Sequence, residues 1–471
     1  MSMNIKTLVA ALLAASSLSA CAVGPNYVAP TPPATAGAPF TGVQSAEVST
    51  AAPDDNWWRL YNDPVLNGLV TDALAANTDV RVAVARIERA RANLRGSKSQ
   101  ALPQTGIDAS ATYGRVSESQ VLPGADRQGR TVDGEFSVGY ELDLFGRVKR
   151  GIEASRADLG AAQEDADAVR VTVVADTVRA YVDATSAAEQ IAVAERTVAL
   201  LDKSERITTA RFDRGLNEKL DVIRVTQLRE QQAAAIPSLE ATRNAALFRL
   251  ATLTGRTPQD LPASVRDRTT TPDVGQPIPV GDGQALLARR PDVKAAERRL
   301  AGDTARIGVA TADLYPKITL GGSIGTTALG ATDIFGGGPL RWLVGPMISW
   351  AFPNQEAIRS RIGGARADAK ADLATFDGTV LRALEETETA LSAYRNALLR
   401  KDRLAAARDA AQRAADVGMA RQSRGQIDAL DVLDAQRTLA SADADYAAAT
   451  RAVAFAQVDL FRALGGNWQE T

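Results

Sequence analysis

Hydrophobic residues recur along this chain at two periods, and the two periods alternate in the same order in each half. From about residue 147 to 213, Val171, Val174, Val178 and Tyr181, then Ile191, Ala194, Val198 and Leu201, keep the three-to-four spacing of a coiled-coil seam. At about 1.5 Å per residue, such a helix is about 100 Å long. It stops at ARFDRGLNEKLDV, residues 210 to 222, and a return helix is predicted from Leu216 to Leu253, with Pro237 forcing a break or kink. The second half repeats the pattern. Gln355 to Arg424 goes out, ARQSRGQIDALDV turns over residues 420 to 432, and Ile427 to Leu464 comes back to Gly465-Gly466. Arg214-Gly215 and Arg424-Gly425 stand 210 residues apart. Each Gly predicts a helical hairpin tip, with Asn217 or Asp428 available to cap the returning helix.

Ahead of each hairpin the period drops to two. Phe136, Val138, Tyr140, Leu142 and Leu144 alternate with Ser137, Gly139, Glu141 and Asp143. Four strands are predicted, over 107–116, 135–145, 317–327 and 340–352. Leu102-Pro103 and Tyr315-Pro316 each end a preceding helix. The first of these is predicted over Leu66 to Leu94, capped by Asp63 or Asn67. The second begins at Gly283 and carries Ala288-Arg289-Arg290-Pro291-Asp292-Val293; Asp292-Val293 answers Asp79-Val80. The strands have the roughly 9–11 residues that a tilted spanning strand needs. Tyr113, Phe136, Tyr140, Phe145, Trp342 and Trp350 are candidates for aromatic girdles. A half-buried soluble sheet has the same period. Beyond the first residues there is no apolar run of helix-spanning length, so a membrane crossing must be made by strands. Four strands do not close a barrel; two copies would give a narrow barrel filled by side chains, and three about 12 strands with room for a lumen. The pair Trp57-Trp58 reads as hydrophobic packing.

Composition narrows the function. Among 471 residues, 54 are basic and 56 acidic, which leaves no basic footprint for nucleic acid. The absence of His removes the commonest general base and metal ligand, and a single Cys rules out an internal disulfide. No nucleophile set, phosphate loop or metal cluster is visible; Glu385, Glu386 and Glu388 read as a solvated helix face. At the start, Lys6, the apolar run Leu8 to Ala15 and Leu18-Ser19-Ala20-Cys21 read as a secretory signal with a lipobox, which leaves Cys21 as the acylated N-terminus. The expected division is a signal over 1–20, an acylated extended tether over 21–55, a first repeat over 56–270, a linker over 271–282 and a second repeat over 283–471.

The motifs VGPNYVAP, NWWRLYNDPVLNGLV, ELDLFGR, ARRPDV, LYPKI and LDVLDAQR, in this order, resemble the TolC-like, lipidated (OprM/NodT-type) outer-membrane efflux proteins from Cys21 to about Trp468. The resemblance implies an α+β membrane protein: a trimeric 12-stranded outer-membrane β-barrel, four strands per chain, that continues into a long α-helical periplasmic tunnel. It implies a passive conduit, not an enzyme, and no cofactor beyond the lipid on Cys21. Its partners would be two further copies, a periplasmic adaptor (membrane fusion protein), a resistance-nodulation-division-type transporter of the inner membrane and outer-membrane lipid. The outer channel of a type I protein-secretion system and a non-conducting, lipid-anchored coiled-coil scaffold are the alternatives. One departure is that Ser349-Trp350-Ala351-Phe352-Pro353-Asn354 lacks the Gly-Arg pair that the first half keeps as Gly146-Arg147.

The resemblance also implies roles for particular residues. Arg211, Arg214, Gly215 and Leu216 in one tip, and Arg421, Arg424, Gly425 and Gln426 in the other, are expected to dock the adaptor. The same residues satisfy a bare turn requirement, Gly for its backbone and Arg for the helix dipole. Leu430, Asp431 and Asp434 fall where the family constricts its periplasmic entrance, and their spacing lets them share a helix face. In three copies they would form a Leu ring and Asp rings, the clustered carboxylates repelling one another and holding local cations. Arg437 offers Asp434 a simple intrahelical pair instead. With Ile427 where some members carry Arg, an ion pair from that position to Asp221 is not available.

Overall fold

A computed structural model describes residues 22–41, 47–124, 126–328 and 340–465. Cys21 and Trp468 lie outside the described residues. Nine helices of seven or more residues and four long strands follow one another among those described. They are α1 (Pro64–Ala76), α2 (Thr78–Ser99), β1 (Gln104–Arg115), β2 (Gln128–Leu142), α3 (Arg147–Phe212), α4 (Lys219–Ala233), α5 (Ala235–Leu253), α6 (Gly283–Arg289), α7 (Pro291–Ala312), β3 (Lys317–Ala328), β4 (Leu340–Ser349), α8 (Glu356–Ser423) and α9 (Ala429–Leu464). No helix among the described residues is long and apolar enough to cross a membrane.

The chain forms two compact units. One takes Met1–Thr31, Arg86–Ala162 and Ala295–Phe376; the other takes Pro32–Ala85, Gln163–Lys294 and Asp377–Thr471. The first holds a four-stranded antiparallel sheet in the order β1-β2-β3-β4. The first-half strand leads into its helix through a tight junction. Gly146 has φ +78°, and the Asp143 carboxylate accepts from the Val148 and Lys149 amides at 2.9 and 2.8 Å, which caps α3. The second half, which lacks the Gly-Arg pair, is held differently. Trp350 Nε1 and Gln355 Nε2 both donate to the Leu314 carbonyl at 3.0 Å.

The second unit is built on a helical core in which Leu66, Val70, Val174, Val178, Tyr181, Leu250, Leu286 and Phe461 are fully or almost fully buried. Trp57 stacks on Phe461 at 4.6 Å between centroids, so the Trp pair is packing, as its composition suggested. Asp63 caps α1 and also accepts from the buried Tyr181 hydroxyl at 2.8 Å and from Arg268 at 3.1 Å. Burial first, and that bond second, push the Tyr181 phenol well above its ordinary range.

Several boundaries differ from the sequence reading. The predicted helix over 66–94 is two helices, because the Asn77 side chain caps a new one: its Oδ1 accepts from the Asp79 and Val80 amides. The break expected at Pro237 falls at Ala234, since the Pro ring excludes the carbonyl four residues back and Pro237 then sits in the first turn of α5. Glu218, not Asn217, caps α4, in a reciprocal box with Asp221. The second strand begins seven residues early, at Gln128. The stretches read as a free tether and a linker are packed: Ala36, Phe40, Val274 and Val280 are buried, and Val48–Ser49 pairs in parallel with Ile278–Pro279.

The two repeats solve one problem by different chemistry. Each return helix ends in buried carbonyls that no N–H of the helix reaches. Asn77 Nδ2 donates to the Leu253 carbonyl at 3.0 Å in the first half; Arg290 Nη1 donates to the Ala463 carbonyl at 3.0 Å in the second. Burial opposes the Arg290 charge, yet Asp292 and Glu386, both at 2.7 Å, outweigh it and hold its pKa above the ordinary value. Arg290→Ala is expected to cost roughly 2 kcal/mol, the carboxylates being partly solvated. Arg290→Lys should recover part of it. Thermal unfolding of the purified protein measures the loss, and an unchanged midpoint in Arg290→Ala would contradict this role.

Candidate functional site: a two-faced sheet and two hairpin tips

The register of the sheet sorts its side chains by chemistry. Ile107, Phe136, Ile324 and Trp342 lie opposite one another in a single row across all four strands. Thr105, Val138, Gly322 and Val344 form the next row on that face, and Tyr140, Leu320 and Pro346 the next. The face stays uncovered: Trp342 is 69% exposed, and Ile107, Phe136, Leu320, Ile324, Val344 and Ile348 are exposed as well. An uncovered apolar face of this extent marks a surface that meets hydrocarbon or another protein.

The opposite face is polar. Asp108, Glu135, Gly325 and Arg341 share a row, followed by Ser110, Asp133 and Thr327. Arg341 reaches Glu135 at 2.6 Å and Asp133 at 2.8 Å, a ladder across three strands that the one-dimensional pattern did not reveal. Near the helix end, Glu141 holds both Arg147 at 2.6 Å and Lys317 at 3.1 Å. Among the described residues, the outer edges of β1 and β4 have no partner strand. Of the six aromatics expected in girdles, five are exposed. Phe145 leaves the set, because it lies past the end of β2 and stacks on Tyr315 at 4.5 Å.

In the other unit, each hairpin tip closes on a Gly with positive φ: +74° at Gly215 and +70° at Gly425. The Leu216 amide donates to the Arg211 carbonyl at 2.9 Å and the Gly215 amide to the Phe212 carbonyl at 2.8 Å. Gln426 to Arg421 and Gly425 to Gln422 repeat the pattern at 3.0 and 2.9 Å. These paired bonds satisfy the last carbonyls of α3 and α8 and require a left-handed residue, so the repeated Gly has a backbone cause. The side chains remain available. Arg214, Arg421, Arg424 and Gln426 are exposed, Arg211 is half-buried, and none of the four Arg has an ion-pair partner among the described residues. Leu216 is 64% exposed, and Ile207, Phe212, Leu220 and Ile223 of the same hairpin are exposed too.

On α9, Val432, Gln436 and Leu439 are buried, and Gln436 bonds Ser204 at 2.8 Å. Leu430, 46% exposed, and the exposed Asp431 and Asp434 lie off that packed stripe. Asp434 is drawn onto Arg437 at 2.6 Å, whereas Asp431 has no ion-pair partner among the described residues and stands in the first turn, where the helix dipole favours an acid. Asp221 serves the α4 cap. The acidic run on α8 is not merely solvated: Glu386 pairs with Arg290, and Glu388 accepts from the Thr41 amide and hydroxyl at 2.7 and 2.8 Å.

A family model described as outer membrane efflux protein matches residues 69–256 and 283–466. The chain is 30% identical to nodulation protein T of Rhizobium leguminosarum bv. trifolii, over 96% of this chain and 95% of that one. It is 32% identical to the outer membrane protein OprJ of Pseudomonas aeruginosa, over 98% and 96%. Among solved structures, that of the outer-membrane channel OprN is similar with a TM-score of 0.88 and 36% identity, covering 96% of this chain and 100% of that one.

The two faces make opposite predictions for one substitution on adjacent residues of β3. Ile324→Arg places a charge on the apolar face and is expected to cost about 2–4 kcal/mol of insertion energy near a bilayer midplane. Ser323→Arg, on the polar face, should be tolerated. The yield of folded protein in isolated outer membranes reads both. Equal yields for the two variants would contradict the sorting of faces.

Proposed function

The chain belongs to the outer membrane efflux protein family, and from that premise we propose that three copies close one 12-stranded wall in the outer membrane and conduct what a pump delivers from the periplasm. As the outer-membrane component of an efflux pump it is a conduit, not an enzyme. The single observation that carries the trimer is the sheet itself: one apolar face, one polar face and two free edges. Three such sheets joined edge to edge turn the apolar rows to lipid and the ladder of Asp133, Glu135 and Arg341 to a water-filled lumen. Cys21 carries the lipid that anchors the chain. The partners are a periplasmic adaptor and an inner-membrane transporter of the resistance-nodulation-division type.

The tips are the adaptor-docking surface. Unpaired Arg214 and Arg424 support this, with Leu216 and other exposed apolar residues on the first hairpin. Apolar contact provides affinity, and the cations select an acidic rim. A photocrosslinking residue at position 214 or 424 is expected to capture the adaptor in an active pump. No adduct from either position would contradict docking.

The entrance is constricted by Leu430, Asp431 and Asp434, which face away from the packed stripe of α9. Because Arg437 compensates Asp434, the charge of the ring rests chiefly on Asp431, and closure rests on Leu430. Leu430→Ala with Asp434→Ala should leave the assembly folded and raise single-channel conductance in planar bilayers several-fold. Adding Asp431→Asn should lower cation selectivity further. Wild-type conductance in the double variant would remove these residues from the gate.

A further inference from the structure

At the end of the sheet where β2 gives way to α3, a cavity of about 740 Å³ opens between the strand, the helix and the first described residues of the chain. Its walls carry three carboxylates, and each is already satisfied. Glu141 is held by Arg147 and Lys317. Asp143 accepts the two capping amides of α3. Glu153 pairs with Arg150 at 2.8 Å. Arg150, only 4% exposed, is likewise fully engaged: it also donates to Asn26 Oδ1 at 2.6 Å and to the Val23 carbonyl at 3.4 Å. Two cations are left over. Lys149 and Arg156 line the cavity, are exposed, and have no ion-pair partner among the described residues. They stand seven residues apart, two turns along one stripe of α3, so both long side chains serve the same opening. The cavity therefore presents two cations that no carboxylate among the described residues pairs, in a built, polar wall.

Its position says what kind of anion fits. The apolar face of the sheet ends here, at Tyr140 and Leu142, and Tyr140 lines the cavity. A lipid whose chains lie along the apolar rows would bring its phosphate to this level. The wall opposite the helix is made by Ala22 and Asn26, and it is fixed: the Val23 amide donates to the Phe145 carbonyl at 3.1 Å, and Ala22 packs on Gly146 so closely that a Cβ there would lie 2.6 Å from it. The opening does not depend on a loose terminus. We propose that this cavity binds the phosphate-bearing headgroup of an anionic phospholipid of the periplasmic leaflet, through Lys149 and Arg156. The inference rests on the reading of the sheet as a membrane wall. Charge-assisted hydrogen bonds from the two cations hold the phosphate, while Tyr140 covers the glycerol end. In the assembly this adds a lipid-specific seat to the sequence-blind apolar belt, and fixes the depth of the sheet against the headgroup layer.

Native mass spectrometry of the full-length protein in detergent tests it. The protein is offered phosphatidylglycerol or phosphatidylcholine with matched acyl chains, and separately free glycerol 3-phosphate. Wild type is expected to retain phosphatidylglycerol roughly tenfold better than phosphatidylcholine. Lys149→Gln with Arg156→Gln should abolish that preference, while Lys149→Arg with Arg156→Lys keeps it and controls for folding. The same spectra report the mass of the mature N-terminus and thus acylation of Cys21. Equal retention of the two lipids by wild type, or an undiminished preference in the Gln variant, would overturn the site. So would glycerol 3-phosphate competing as well as the lipid, since the seat would then be for a soluble anion. Conductance of the same preparations separates the two readings: a conducting protein without lipid preference defeats only the headgroup seat, and a folded assembly that does not conduct defeats the channel.

Discussion

A backbone amide or carbonyl that faces hydrocarbon without a partner costs several kcal/mol, and a four-stranded sheet has a whole row of them at each edge. The rest of this molecule can be understood from that constraint. The sheet offers lipid an apolar face running unbroken through Ile107, Phe136, Ile324 and Trp342, so hydrocarbon is its natural neighbour. Its edges forbid it to stay there alone. In the proposed assembly other copies cover those edges, and the polar face, with Arg341 bridging Asp133 and Glu135, lines the space the copies enclose.

The helical unit meets a different demand: two hairpins of similar sequence must turn and close at defined places. The same backbone device ends α3 and α8, a Gly with positive φ and two returning amide bonds. The other ends of the return helices are buried, and there the repeats diverge. An amide, Asn77, does in the first half what a guanidinium, Arg290, does in the second. The Arg brings a charge into the core, which requires Asp292 and Glu386 beside it. Divergence between the halves is thus local, and each exchange is compensated by its neighbours.

Much of this was legible in the sequence because both periods are strong. Alternation over Phe136 to Leu142 and the seam from Val171 to Leu201 fix strand and helix where the structure has them, and the doubled Arg-Gly marks both tips. The family resemblance seen in the ordered motifs is borne out by the matched model. What was missed is long-range. Nothing near Asn77 announces that its side chain both caps α2 and reaches the Leu253 carbonyl, so one helix was read where there are two. A Pro displaces a helix break toward the N-terminus by its own geometry, which moved the interruption from Pro237 to Ala234. The segments read as tether and linker show neither period, but some of their apolar residues, Phe40 and Ile278 among them, are buried in the core. At the candidate gate, the spacing of Leu430, Asp431 and Asp434 predicts a shared face, and only the structure distinguishes the paired Asp434 from Asp431.

In the proposed wall the free edges of β1 and β4 meet in neighbouring copies. Cysteines introduced on the polar face, one of Gly106→Cys, Asp108→Cys or Ser110→Cys on β1 combined with one of Arg341→Cys, Leu343→Cys or Gly345→Cys on β4, test it by oxidation in intact outer membranes. At least one pair is expected to give a covalent ladder of one, two and three chains that stops at three. Monomer alone from every pair, or a ladder that runs on past three, would contradict the closed three-copy wall.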